Sequence, residues 1–212
     1  MSAEQEKRAV AEAAAALIED GMAVGLGTGS TAAYLLPALA ARGLSIRCVA
    51  TSPATEEAAR ALGLVVESFY ALDRIDLAVD GADQIAPDGW VVKGGGGAHT
   101  REKIVAAAAD RFVVVASSDK LVEVLRPPVP LELLAFGLQA TLRTLVPVEV
   151  RGVAPSPDGN VIADYLGPIG DPAELAAYLS SMPGVVGHGL FSPELVSEIL
   201  VGRGEAVERR TP

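Results

Sequence analysis

The sequence has a single cysteine, Cys48, among 212 residues. That count excludes an intramolecular disulfide and a thiolate metal cluster, and it fits a reducing compartment. There are only two histidines, His99 and His188, and neither has a second His or Cys nearby to complete a metal site. Basic residues are also scarce, 17 against 27 acidic for a net charge of −10. Such a balance argues against a nucleic-acid or anionic-membrane surface, which would need clustered Lys and Arg, but it leaves room for a few cations converging on a small anion. No apolar run approaches membrane-spanning length, and the Met1–Arg8 segment carries charges where a secretory signal needs apolar residues. A cytoplasmic protein is expected. What the chain does have is apolar material, half of its residues, and at this length roughly 70% of the unfolded surface should be buried. That is enough for one large domain or a domain and a half.

The apolar pattern alternates in period. Residues 4–19 are alanine-rich with Val10, Ala13, Ala14, Leu17 and Ile18 at helical spacing before Gly21. A short strand at 22–26 leads through glycines into a helix over 31–41, where Pro37 predicts a kink. Strands are expected at 45–50, 64–67, 75–79, 90–92 and 112–116, with helices from Ser52-Pro53 to Leu62 and over 100–109. Alternating apolar strands and helices imply a mainly parallel, Rossmann-like sheet covered on both faces. The run Arg126-Pro127-Pro128-Val129-Pro130 marks a boundary. Beyond it the expected order is strand 131–135, helix 136–145, strand 148–151, strand 161–165, helix 172–181 and strand 185–190, a β-α-β-β-α-β ferredoxin-like unit. Residues 195–201 can return to the large sheet. The expected division is therefore 1–127 with 192–212 as a large α/β domain, and 128–191 as a small α+β domain inserted near the C-terminus.

Three strand ends carry polar chemistry. Gly25-Leu26-Gly27-Thr28-Gly29-Ser30-Thr31 lies between a strand and a helix, where free N–H groups and the helix dipole favour an anion. A dinucleotide fingerprint would need glycine at 30 and an acid after the next strand, but Ser30 and Thr51-Ser52 stand there, and no Gly-Lys-Ser/Thr completes a Walker loop. Asp80-Gly81-Ala82-Asp83 follows the strand at 75–79, a position that is also compatible with a solvated turn. Lys93 is followed by Gly94, Gly95, Gly96 and Gly97, a run costly in chain entropy unless a ligand approaches the backbone or the backbone needs positive φ. Thr100-Arg101-Glu102-Lys103 then opens a helix. Convergence of all three on one sheet edge is hard to explain by turn chemistry alone.

Together these segments resemble the signatures of the type A ribose-5-phosphate isomerase family. Asp158-Gly159-Asn160, Pro183-Gly184-Val185-Val186 and Gly189-Leu190-Phe191 extend the resemblance over nearly the whole chain. It implies an aldose–ketose isomerase that interconverts ribose 5-phosphate and ribulose 5-phosphate through an enediolate, without metal or cofactor, as a homo-oligomer of two or four chains. By the same resemblance Thr28, Gly29, Ser30 and Thr31 contact the sugar phosphate, and Asp80-Gly81-Ala82-Asp83 holds the hydroxyls and helps open the furanose ring. Lys93 with Gly94, Gly95 and Gly96 stabilises the enediolate, Glu102 is the base, and Lys120 is a further substrate contact. Gln84, Gly97 and His99 depart from the family pattern, and the segment between Leu145 and Asp158 is short for it.

The chemistry fits these residue types independently. Moving a carbonyl from C1 to C2 requires one base to shuttle a proton between neighbouring carbons, and a desolvated carboxylate can be tuned for it. An ammonium and backbone N–H groups favour the negative oxygen that develops. An amino-sugar-phosphate deaminase or phosphosugar lactonase would lean on a histidine, and the two present are poorly placed. A non-catalytic sugar-phosphate sensor is the alternative of another class; it would be expected to carry a DNA-binding segment and a less acidic surface. Cys48 is expected in the core, His188 as structural or exposed, and Trp90 beside the sheet.

Overall fold

The computed structural model describes residues 2–212. Helix α1 (Ala3–Ala15) starts from a capping box in which the Ser2 hydroxyl accepts from the Gln5 amide and the Gln5 side chain accepts from the Ser2 amide. There follow β1 (Ala23–Leu26), α2 (Ser30–Arg42), β2 (Arg47–Ala50), α3 (Pro53–Ala61), β3 (Val65–Val66) and β4 (Ile75–Gly81). After β5 (Gln84–Ile85), β6 (Val91–Val92) and α4 (His99–Ala108) comes β7 (Ala109–Ser117). The next elements are β8 (Val129–Leu133), α5 (Leu138–Thr144), β9 (Val148–Val150), β10 (Val161–Tyr165), α6 (Pro172–Ser181) and β11 (Val185–His188). The chain closes with β12 (Leu190–Phe191), β13 (Glu198–Arg203) and β14 (Ala206–Arg210).

The central sheet has seven strands in the order β14-β13-β7-β4-β1-β2-β3, parallel except for the antiparallel β13–β14 pair. Its inner strands are apolar on both faces because both faces are covered. Val10 and Ala14 of α1, Ile18 just beyond it, and Leu35 and Leu39 of α2 pack on one side with Leu77 and Val113, while Val105 of α4 packs on the other with Phe112, Phe191 and Ile199. The run at 195–201 does return to this sheet, as β13 beside β7.

The second sheet has the order β11-β8-β10-β9 with every pair antiparallel, the arrangement expected of a ferredoxin-like unit, and α5 and α6 contribute to its core through Leu138, Leu142, Leu175 and Leu179. Details differ from the sequence reading. The strand expected at 90–92 does not join the parallel sheet; as β6 it lies between β5 and β12 in a small antiparallel sheet. Two apolar residues cannot specify by pattern which sheet they enter. The single strand expected over 185–190 is broken at Gly189, whose amide donates to Pro130 O and whose carbonyl accepts from Lys93 N. Its two halves therefore serve different sheets. Helix α2 runs unbroken through Pro37, and β14 carries too little apolar signal to be expected.

Candidate active site

Three parallel strands and β6 deliver their C-terminal ends to one cleft. Thr28 and Gly29 of the β1–α2 turn and Ser30 and Thr31 at the start of α2 line it; Gly81 ends β4, and Ala82 and Asp83 follow it; Lys93, Gly94, Gly95 and Gly96 follow β6; Glu102 comes from α4 and Lys120 from beyond β7. Asp80 lies just beneath this lining. The structure thus brings together the residues that the resemblance assigns to the substrate or to the chemistry.

At the anion end, Gly29 caps α2 with φ of 118° and no side-chain cap, so the first-turn amides are not claimed by a capping side chain. The Thr28 hydroxyl bonds Thr51 Oγ1 at 2.8 Å, and the Thr28 amide donates to Asp80 Oδ1 at 3.1 Å. Lys7, on α1, donates to Ser30 Oγ at 2.8 Å and brings a second cation beside Lys120 to this end. Sequence reasoning missed Lys7, because a lysine on an exposed helical face 23 residues from its partner leaves no local signal.

At the opposite end Lys93 Nζ lies 3.0 Å from Asp80 Oδ2 and 3.2 Å from Glu102 Oε2, and donates to Gly81 O at 2.5 Å. All three side chains are nearly dry, with Lys93, Asp80 and Glu102 at 2%, 3% and 4% exposure. One ammonium cannot neutralise two carboxylates, so the group carries an excess negative charge in a medium that disfavours it. Burial first, and then the Asp80 charge, push Glu102 up to about 8, with Lys93 offsetting part of the rise. Burial also raises Asp80, against Lys93 and two amides, Gly81 and Thr28, that favour its anion. Burial alone would lower Lys93, but the two carboxylates outweigh it and hold the ammonium charged.

Asp83 Oδ2 accepts from the Gly95 amide at 2.8 Å, and the carbonyls of Gly94 and Gly95 both accept from Arg151, which follows β9 of the four-stranded sheet. Gly94 has φ of 112°, and a Cβ there would come within 2.7 Å of His99 Nδ1. His99 itself is fully buried behind the loop, outside the cleft lining, and burial pulls its pKa down to about 4. Gln84 uses both ends of its amide, donating to Arg126 O and accepting from Arg126 N, a pairing a glutamate could not complete. His188 is buried, with Nδ1 accepting from the Leu190 amide. Cys48 is core, its thiol pushed up to about 12 by burial. Trp90 is half-buried against the small-sheet core.

An anion cradle beside a buried carboxylate of raised pKa, at the strand ends of a parallel sheet, defines an enzyme that moves protons on a small anionic substrate. The model of the family "Ribose 5-phosphate isomerase A (phosphoriboisomerase A)" matches residues 47–206, and that of the "DeoR C terminal sensor domain" matches residues 2–60. Ribose-5-phosphate isomerase A of Caulobacter sp. (strain K31) is 45% identical over the full length of both chains, and that of Natronomonas pharaonis is 44% identical over 98% of this chain and 97% of its own. The solved structure of ribose 5-phosphate isomerase A from Methanocaldococcus jannaschii superposes with a TM-score of 0.94 at 33% identity, with full coverage of both chains. A D-ribose-5-phosphate isomerase structure in complex with phospho-erythronic acid gives the same TM-score at 34% identity, again over both full chains. The chain belongs to the ribose 5-phosphate isomerase A family.

Proposed function

We propose that this cleft interconverts ribose 5-phosphate and ribulose 5-phosphate, the aldose–ketose step of the pentose phosphate pathway, with Glu102 as the single proton shuttle. The observation that carries the reading is the Glu102–Lys93–Asp80 arrangement, a base of raised pKa with an ammonium 3.2 Å away, opening on an anion cradle. The phosphate sits at the α2 N-terminus among Ser30, Thr31, Lys7 and Lys120, and this fixes which carbons face Glu102. Asp80 and Asp83 hold the hydroxyls and help open the furanose ring. Glu102 in its ionised form removes the proton from C2 and returns it to C1. As it does so, negative charge grows on the substrate oxygens, where Lys93 and the amides of the glycine loop meet it more strongly than they meet the ground state.

In this reading residues 1–127 with 192–212 form the catalytic unit, and 128–191 support it. The single cysteine supports a reducing, cytoplasmic setting, and the family resemblance supports an assembly of two or four chains. No described helix is long and apolar enough to cross a membrane. The test is direct formation of ribulose 5-phosphate from ribose 5-phosphate with a chelator present, run beside Glu102→Gln. Activity in the parent and its loss in the variant support the reading; an inactive parent overturns it.

A further inference from the structure

Arg151 stands outside the cleft lining, yet its donors are directed at the cleft wall. It follows β9 in the four-stranded sheet, and Nε and Nη2 are held by both oxygens of Asp164 on β10, at 2.7 and 2.6 Å. That bidentate fork fixes the guanidinium plane. The remaining nitrogen, Nη1, donates to Gly94 O at 2.9 Å and Gly95 O at 3.1 Å. A trans peptide sets its N–H antiparallel to its C=O, so turning these two carbonyls toward Arg151 turns the amides of Gly95 and Gly96 away from it. Gly95 and Gly96 line the cleft, and the Gly95 amide reaches Asp83 there. Among the described residues the Gly96 amide has no hydrogen-bond partner.

The need for such a fork follows from the sequence around the loop. Four consecutive glycines, Gly94 to Gly97, have more conformational freedom than any other stretch of this length, and flipping a peptide between two of them meets no side-chain resistance. A flipped 95–96 peptide would present a carbonyl oxygen to the cleft in place of an N–H. We propose that Arg151 is a positioning residue for isomerisation: by holding the Gly94 and Gly95 carbonyls, it keeps the Gly95 amide on Asp83 and the free Gly96 amide aimed at the oxygen on which charge develops. Its charge also polarises both peptides and makes their N–H groups stronger donors. The four-stranded sheet is thereby part of the catalytic apparatus although none of its residues lines the cleft. This inference rests on the isomerase reading of the site given above.

Because the fork acts on charge that appears only during reaction, its loss should lower turnover and spare substrate binding. Arg151→Lys keeps the charge and stem but cannot hold Asp164 and two carbonyls in one plane; Arg151→Met removes the donors altogether. The expected result is a kcat reduced tenfold or more in Arg151→Met and less in Arg151→Lys, with KM for ribose 5-phosphate within threefold of the parent. Affinity for phospho-erythronic acid, whose carboxylate places negative oxygen where the enediolate would carry it, should weaken at least tenfold in Arg151→Met, while competition by inorganic phosphate stays unchanged. Asp164→Asn, which leaves the arginine in place but weakens its anchor, should lower kcat in the same direction and covers the case in which Arg151→Met does not fold. A folded variant with parental kcat, or one whose whole loss appears in KM, overturns the role of Arg151. An inactive parent would instead overturn the isomerase reading beneath it, so the two failures are distinguishable.

Discussion

The carboxylate of Asp80 occupies the space in which any side chain at Gly27 would begin. A Cβ built on Gly27 overlaps the Asp80 Cγ and Oδ1 atoms, and the Gly27 amide is bonded to Val79 O, so neither partner has room to retreat. Glycine at 27 is therefore a requirement of the carboxylate, beyond any need of the turn. Gly27→Ala is expected to displace Asp80 from Lys93 and reduce kcat more than tenfold, with the far-ultraviolet circular dichroism of the parent retained. Parental turnover in that variant would contradict the packing argument.

Glu102→Gln keeps size and hydrogen-bonding reach while removing the basic oxygen. A positioned base contributes about 10²–10⁴-fold, and a loss of at least that order is expected in turnover, with substrate affinity retained. Exchange of the transferable carbon-bound hydrogen with deuterated solvent should vanish to whatever extent the parent shows it. A folded, near-normal Glu102→Gln enzyme would return Asp80, Asp83 and His99 to consideration as the base.

On the role proposed for Lys93, meeting charge that develops during the reaction, Lys93→Ala should lower kcat far more than it raises KM. Its removal also leaves Asp80 and Glu102 as two buried carboxylates without their cation. A higher Glu102 pKa is expected in that variant, readable by carbon NMR of a labelled side chain. A rise confined to KM would count against the assignment.

The pKa of about 8 at Glu102 has two consequences of defined sign. With the ionised form as the proposed base, kcat/KM should climb with pH through about 8 and then level. In the opposite direction, the folded chain holds a proton that the unfolded chain, with its carboxyl at the ordinary 4.5, releases. Stability contributed by that proton is present below about 4.5 and is lost as pH rises through about 8. Glu102→Gln should therefore melt higher than the parent at pH 9 and close to it at pH 4, each kcal/mol amounting to about 2–4 °C at this chain length. Calorimetry at the two pH values checks this, and an equal difference at both would refute it.

Lys7 and Ser30 meet at the anion end of the cleft. Ser30→Ala with Thr31→Ala, and separately Lys7→Ala, should raise KM for ribose 5-phosphate tenfold or more while leaving the melting temperature within a few degrees. Isothermal titration with a phosphorylated sugar reads the same loss; unchanged affinity in both variants would move the phosphate elsewhere.

How far the sequence reaches can be judged at particular residues. Local chemistry alone set the alternation of strand and helix up to β7, the ferredoxin-like order after Pro130, and the three strand ends bearing Thr28 to Thr31, Asp80 with Asp83, and Lys93 with its glycines. Each of these is written in contiguous residues whose periodicity or turn chemistry acts over a few positions. Tertiary structure decided the rest. It placed β6 in a separate sheet, divided one apolar run at Gly189 between two sheets, and brought Lys7 to Ser30 and Arg151 to Gly94 across 23 and 57 residues of chain. It also buried Glu102, Lys93 and Asp80 together, and that shared desolvation holds the Glu102 carboxyl above its ordinary pKa. A carboxylate's neighbours in sequence do not fix its dielectric surroundings; the elements packed around it do.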